Sequence, residues 1–118
     1  CIGVFTQTDI GEGNAKVVTG TYADNRSCAV SATGHGEFFI RHTVARDICA
    51  RMQFGGASLH DATAEVVLKA LVAAGGEGGV AAVDRAGNVA LTFNTPGMYR
   101  ASINATGAKT VGIFGDDE

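Results

Sequence analysis

The chain has 118 residues, which fits a single domain, and its 46% of apolar residues is enough for a hydrophobic core, so intrinsic disorder is excluded. The net charge of −3, without any cluster of Lys and Arg, argues against a nucleic-acid partner, because phosphate binding needs concentrated positive charge. No apolar run approaches the roughly 20 residues of a membrane span and no signal segment opens the chain, so we expect no membrane association.

Glycine usage is the most unusual feature of the composition. There are 17 glycines and a single proline, and the glycines lie between apolar runs. This pattern indicates tight turns and close backbone approach, not flexible linkers. The low charged fraction of 18% further indicates that a partner chain covers part of the surface.

The three cysteines do not form a regular pattern. An odd number without regular spacing does not predict a disulfide framework. Cys28 falls in a strand-like run and Cys49 in a helix-like run, so we expect both to be small buried hydrophobic residues. A reducing, cytoplasmic location follows from that expectation. No cluster of His, Cys and Asp has metal-ligand spacing, so neither a metal nor a cofactor is predicted.

The first part of the chain is predicted to form three strands, over residues 1–8, 16–22 and 27–32, with turns over 9–14 and 23–26. A helix is then predicted over residues 36–54. Its apolar residues recur every four positions and form one stripe, made of Ile40, Val44, Ile48 and Met52. The pair Gly55-Gly56 ends this helix.

A second helix is predicted to begin after Ser58, which is a favourable N-cap with Asp61 in the first turn. Its apolar face consists of Leu59, Ala62, Val66, Ala70 and Ala73, widened by Val67 and Leu71. The glycine run at 75–79 ends it. Four further strands follow, over residues 80–83, 89–93, 99–103 and 111–114. Because strands and helices are grouped separately, the sequence predicts an α+β fold in which a helix pair covers one face of an antiparallel sheet.

The turn between the third strand and the first helix is the first candidate site. Thr33, Gly34, His35 and Gly36 place a hydroxyl and several accessible backbone amides before a helix, an arrangement that suits an oxyanion or a carboxylate. A plain glycine-rich turn in which Thr33 caps the helix remains an alternative. His35 either lines a substrate mouth or faces solvent.

The first residue is the second candidate. Cys1 carries a nucleophile and an α-amino group with a reference pKa of about 7.7–8.0, so the amine can take the proton of its own side chain. Attack on an amide carbonyl would then give a thioester intermediate. In the alternative, Cys1 is only the exposed start of a processed chain, and Thr19 is an ordinary β-branched strand residue.

Several stretches taken together resemble the β-subunit of plant-type L-asparaginase/isoaspartyl peptidases, which are N-terminal nucleophile hydrolases. The matching residues are Tyr22-Ala23-Asp24-Asn25, 31–37, 39–41, Gly55-Gly56, 75–79, 84–88 and 93–100. They extend over about four-fifths of the chain, from Tyr22 on.

The resemblance implies an αββα four-layer sandwich of which residues 1–118 form the β-subunit half. It also implies a precursor that cleaves itself, an α-subunit that completes the single domain, and an (αβ)2 assembly. The implied substrates are small molecules: L-asparagine, cleaved at its side-chain amide, and isoaspartyl dipeptides, cleaved at the β-aspartyl bond. No cofactor is implied.

Site residues can be carried over position by position. Cys1 stands where the family has its nucleophilic Thr, and Thr19 falls where it has a second active-site Thr. Thr33 and Gly34 match the pair that stabilises the oxyanion, and Gly34 and Gly36 match backbone contacts to the substrate, with His35 between them.

One departure from the family is clear. The Arg-x-x-Asp clamp that holds the substrate's amino-acid head is absent between Gly20 and Tyr22. Two alternatives therefore stay open. One is a catalytically impaired or engineered variant of the same fold, with Cys in place of Thr and no clamp. The other is a hydrolase similar to the glycosylasparaginases.

Overall fold

The computed structural model describes residues 21–115 of the chain. The predicted strand over 1–8, the turn over 9–14 and most of the strand over 16–22 lie outside the described residues. The same holds for Cys1 and Thr19. No helix in the described part is both long and apolar enough to cross a membrane.

The described strands form two antiparallel sheets. The larger sheet has the order β1-β2-β3-β4 and contains β1 (Thr21–Ala23), β2 (Cys28–Gly34), β3 (Gly78–Asp84) and β4 (Val89–Phe93). The smaller sheet pairs β5 (Gly97–Ile103) with β6 (Lys109–Phe114). Each of these strands overlaps a predicted one. The sequence does not predict that β5 and β6 form a sheet of their own.

Register explains which face of the larger sheet packs against the helices. Tyr22, Val30, Ala82 and Ala90 lie opposite one another across the four strands, and all four are buried. They share one hydrophobic core with side chains of the helices. The predicted α+β arrangement, a sheet covered by helices on one face, is therefore confirmed for the described residues.

The single helix predicted over 36–54 is wrong, because the chain breaks it in two. α1 (Gly36–Arg41) and α2 (Val44–Gly55) are separated at Thr43, whose φ of 46° and ψ of 48° are left-handed. The break rotates α1 relative to the predicted stripe. Ile40 is consequently 57% exposed, and Phe39 occupies the core instead.

The next helix begins where predicted, and the Asp61 N–H donates to Ser58 Oγ over 3.1 Å. It consists of α3 (Leu59–Thr63), a π-helical segment (Ala64–Ala70) and α4 (Leu71–Ala73). A π-helix holds more residues per turn than an α-helix, so it shifts the phase of everything that follows. The predicted face is therefore wrong at Ala70 and Ala73, which are exposed, whereas Val67 and Leu71, predicted to widen it, are buried.

The two internal cysteines form a disulfide, which corrects their interpretation as unpaired hydrophobic residues. Cys28 begins β2 and Cys49 lies in the middle of α2, 21 residues later, with a Cα–Cα distance of 5.4 Å. Both are buried, as predicted. The bond ties the sheet to the helix that covers it.

The Tyr22-Ala23-Asp24-Asn25 stretch builds the turn between β1 and β2 around a buried carboxylate. Asp24 accepts hydrogen bonds from the Tyr22 hydroxyl at 3.1 Å, from the Arg26 N–H at 2.8 Å and from the Arg26 guanidinium at 2.6 Å. The bonds from the Arg26 side chain hold the pKa of Asp24 well below its ordinary value, although burial opposes them.

Removing the disulfide is expected to destabilise the fold. Replacing Cys28→Ala and Cys49→Ala together should lower the free energy of unfolding by about 3 kcal/mol, because the cross-link restricts the unfolded chain. Urea unfolding of the oxidised protein and of the double variant measures the difference. Reduction should destabilise the wild type and leave the double variant unchanged. Equal stability of the two oxidised proteins would contradict the prediction.

The Asp24 carboxylate is expected to make stability depend on pH. Its pKa is lowered on folding, so its contribution is complete above the unfolded pKa of about 3.9 and is lost as pH falls towards the folded value. Asp24→Asn should cost about 2 kcal/mol at pH 7, and the loss should shrink below about pH 4.

Asp47→Asn is the matched control, because Asp47 pairs with Arg51 at 2.9 Å on a partly exposed helix face. A surface pair of this kind is worth at most about 0.5 kcal/mol. Chemical unfolding of both variants between about pH 2 and 7 separates the two carboxylates. A loss for Asp24→Asn that does not vary with pH would show that its charge plays no part.

Candidate active site

The candidate site lies where the larger sheet meets the first helix. Thr33 and Gly34 end β2, His35 is the N-cap of α1, and Gly36 is the first helical residue. All four are exposed. Within the described part of the chain, the turn is therefore open to a ligand.

A close backbone contact holds this turn in place. Gly34 lies opposite Gly78 at the end of the β2–β3 ladder, and both have positive φ, 129° and 152°. A Cβ on Gly34 would lie 2.6 Å from the Gly78 Cα and would also collide with the Glu77 carbonyl. Only glycine fits this backbone conformation without strain.

The same carbonyl determines the path of the chain into α1. The His35 N–H donates to Glu77 O over 3.0 Å, and His35 O accepts from the Phe38 N–H over 3.0 Å. Because His35 is the N-cap and no side chain caps the helix, the alternative in which Thr33 caps it is wrong. The His35 ring lies 6.1 Å from the Phe38 ring, at the rim of the turn.

The helix that follows the turn is shorter than predicted. α1 has 6 residues and stops before α2, so fewer peptide dipoles align behind the turn than a continuous helix over 36–54 would supply. The candidate chemistry therefore depends on the backbone amides and on the Thr33 hydroxyl more than on the helix.

Asn94 is a residue whose role the sequence does not reveal. The pattern from Asn94 to Gly97 predicts only a turn, but the Asn94 side chain reaches the glycine run behind the site. Its Oδ1 accepts from the Gly78 N–H at 2.8 Å, and its Nδ2 donates to Gly76 O at 3.0 Å. The sequence signal that could have indicated this role is a side-chain amide directly after one strand, combined with a glycine run that leads into the neighbouring strand.

The residues after Asn94 pack on the same region. A Cβ on Gly79, the partner of Thr33 in the ladder, would lie 2.6 Å from Met98 Sδ. Arg100 stacks over the Phe93 ring with 4.8 Å to its centre and donates to Phe114 O over 3.1 Å. The stretch therefore joins β5 to the larger sheet beside the candidate site.

Two cavities of the described structure lie elsewhere. One of about 280 Å³ is lined by β5 and β6 residues, and one of about 140 Å³ by residues of β3, β4 and β5. Neither is lined by Thr33, Gly34, His35 or Gly36. Within residues 21–115, no group of three or more His, Cys, Asp or Glu side chains is placed to hold a metal.

The structure thus brings together Thr33, Gly34, His35 and Gly36, which are consecutive in the chain. Their predicted convergence with Cys1 and Thr19 stays a prediction, because those two residues lie outside the described part.

Comparison with known proteins adds a family to this geometry. A family model described as asparaginase matches residues 11–113. The chain belongs to the asparaginase family. The match contains Thr19 and the whole Thr33–Gly36 turn, and it does not contain Cys1.

Relatives of this asparaginase-family chain carry names that agree. It is 55% identical over 98 residues to the isoaspartyl peptidase of Salmonella typhimurium, covering 83% of this chain and 31% of the relative. It is 54% identical over 98 residues to the isoaspartyl peptidase of Escherichia coli, covering 83% and 30%. The isoaspartyl peptidase/L-asparaginase of Xenopus laevis is 38% identical over 90 residues, covering 75% and 28%. The chain therefore spans about a third of the length of the relatives it matches.

The glycines of this family member predict a sharp contrast between variants. Gly34→Ala should lower the free energy of unfolding by about 3 kcal/mol or more. The positive φ is strained for alanine, and the new Cβ would also collide with backbone atoms of Glu77 and Gly78. Gly87→Ala is the matched control: its φ is 87°, but no atom lies within 4 Å of a Cβ placed there. Its loss should be only about 1–2 kcal/mol. Equal losses in urea unfolding would show that the contact with Glu77 and Gly78 is unimportant.

Proposed function

We propose that the protein is an amidohydrolase that cleaves the side-chain amide of L-asparagine, β-aspartyl (isoaspartyl) peptide bonds, or both. The observation that carries the proposal is the exposed Thr33–Gly36 turn, held by the Gly34–Gly78 contact, in a chain 55% identical to an isoaspartyl peptidase. Both substrates present a carbonyl at the same distance from an α-amino-acid head.

In the proposed mechanism, the turn stabilises the charge that develops on the substrate carbonyl. The Thr33 hydroxyl and the Gly34 backbone stabilise the oxyanion of the tetrahedral intermediate. Such donors act without reorganisation when they are fixed in advance, and losing one typically costs about 100- to 1,000-fold in rate. Gly36 leaves room for the substrate to approach the backbone, because no described atom lies within 4 Å of a Cβ placed there. His35 lines the mouth.

Cys1 is proposed as the nucleophile and Thr19 as the residue that supports it. The α-amine of Cys1 takes the thiol proton, and the sulfur bonds to the carbonyl carbon of the substrate. The substrate's C–N bond then breaks, and its nitrogen leaves with that proton, as ammonia from L-asparagine or as the amine of the second residue from a β-aspartyl peptide. Water then hydrolyses the thioester to a carboxylate and restores the thiol. This part of the proposal is supported by the chemistry of a thiol that lies beside a free α-amine.

The proposal includes assembly. An α-subunit from the same self-cleaving precursor would complete an αββα sandwich and form (αβ)2 units. One observation supports a partner: the smaller sheet exposes apolar side chains, with Tyr99 87% and Val111 73% exposed. Surfaces of this kind are typical of interaction sites.

A cytoplasmic location also belongs to the proposal, and the disulfide weighs against it. Disulfides are rare in the reducing cytosol. Burial of both Cys28 and Cys49 would shield the bond from exchange with other thiols.

Hydrolysis can be tested directly on the complete protein with its α-subunit. We expect release of aspartate from a β-aspartyl dipeptide or of ammonia from L-asparagine, and an acyl adduct on Cys1 when turnover is quenched and analysed by mass spectrometry. Release of neither product would show a catalytically silent relative of the same fold. An acyl adduct on another residue would support the proposed activity but would show that Cys1 is not the nucleophile.

Gly36→Ala tests whether the turn contacts the substrate. The new methyl group enters open space, so stability should be unchanged or rise by up to about 1 kcal/mol, while kcat/KM should fall at least about 100-fold. Gly55→Ala is the matched control, because Gly55 is also helical and its Cβ would also meet nothing within 4 Å. It should leave activity intact. Full activity of Gly36→Ala would place the substrate elsewhere.

A further inference from the structure

The glycine run behind the candidate site is held by one side chain from a distant part of the sequence. Asn94 follows β4, and its backbone and side chain together make four hydrogen bonds. Its N–H donates to Gly78 O at 3.0 Å, its Oδ1 accepts from Gly78 N at 2.8 Å, and its Nδ2 donates at 3.0 Å to Gly76 O and at 3.0 Å to Val67 O.

The partners determine which way the amide points. An N–H group needs an acceptor and two carbonyl oxygens need donors, so Oδ1 must face Gly78 and Nδ2 must face Val67 and Gly76. Among the other side chains only that of Gln carries the same amide group, and it is one methylene longer, so its amide would not lie in the same place. Aspartate would retain the bond from Gly78 but place negative charge against two carbonyl oxygens.

The π-helical segment explains why the Val67 carbonyl can accept this bond. In a regular α-helix the Leu71 N–H would bond to Val67 O. Here it bonds to Val66 O instead. Asn94 Nδ2 takes the place of the diverted donor, so the irregular helix and the Asn94 side chain depend on each other.

The hydrogen bonds of Asn94 are linked to the candidate site through two residues, Gly78 and Glu77. Gly78, held on both its N–H and its carbonyl by Asn94, is the residue whose backbone touches Gly34. The neighbouring Glu77 carbonyl accepts the His35 N–H over 3.0 Å. A shift of the glycine run would therefore move the Thr33–Gly36 turn with it.

We propose that Asn94 is a positioning residue: it fixes the glycine run against the Thr33–Gly36 turn and so sets the position of the groups that stabilise the oxyanion. The inference rests on the proposed function. Asn94 does not contact the substrate. It acts through Gly78 and Glu77.

The test compares Asn94→Ala and Asn94→Asp with Asn104→Ala in the complete protein. Asn104 is a matched control, because its side chain also makes three hydrogen bonds, in an exposed turn away from the site. All three are accepted by Oδ1, from Thr106 N at 3.0 Å, Thr106 Oγ1 at 2.7 Å and Ala108 N at 2.9 Å. Two readouts are taken: kcat and KM for a β-aspartyl dipeptide, and hydrogen exchange of the His35 amide relative to the Val30 amide in the centre of the sheet.

Both Asn94 variants should speed exchange at His35 at least about 10-fold relative to Val30, since a lost hydrogen bond of about 1.4 kcal/mol corresponds to a factor of 10. They should also lower kcat/KM by about 100-fold, mainly through kcat, because small displacements of catalytic groups are costly. Asn104→Ala should change neither readout.

Unchanged exchange at His35 in both Asn94 variants would overturn the proposal, whatever the activity. Faster exchange with wild-type kcat would overturn it as well. If the wild-type protein hydrolyses no substrate, the proposed function fails on its own, and the exchange readout still decides whether Asn94 holds the turn.

Discussion

The backbone contact between Gly34 and Gly78 is the constraint on which the rest of the site depends. It brings the end of β2 and the start of β3 closer than any side chain would permit, so the chain leaves the sheet along a path set by backbone atoms. The Glu77 carbonyl then directs His35 into α1. A turn built in this way has little freedom to relax, which is the property that preorganised catalysis requires.

The regular parts of this architecture can be predicted from the sequence. Alternation and turn residues place the strands, and Ser58 marks the start of its helix because its hydroxyl has a backbone N–H to accept. The spacing of Val44 and Ile48 correctly predicts the buried face of α2. The glycines and the hydroxyl of the Thr33–Gly36 turn are likewise enough to indicate the candidate site, because their chemistry is local to four consecutive residues.

The predictions fail where the helical phase changes. The prediction of an apolar stripe at four-residue spacing rests on one continuous helix. It does not detect the left-handed backbone at Thr43 or the wider helical turns between Ala64 and Ala70. Long-range pairing is also beyond local pattern. Nothing near Cys28 points to Cys49, and nothing near Asn94 points to Val67, because each partner is selected by the packing of a helix on the sheet.

The two glycines on either side of His35 answer to different demands. The space beside Gly34 is filled by the protein's own main chain, whereas the space beside Gly36 is empty in the described structure. The protein's own backbone therefore requires glycine at Gly34, whereas a requirement for glycine at Gly36 would come only from a bound ligand, as in the proposed function. Replacing the first reports on whether the chain can fold, and replacing the second reports on the shape of whatever docks there. Substitutions at these two glycines thus separate the packing of the fold from the fit of a ligand.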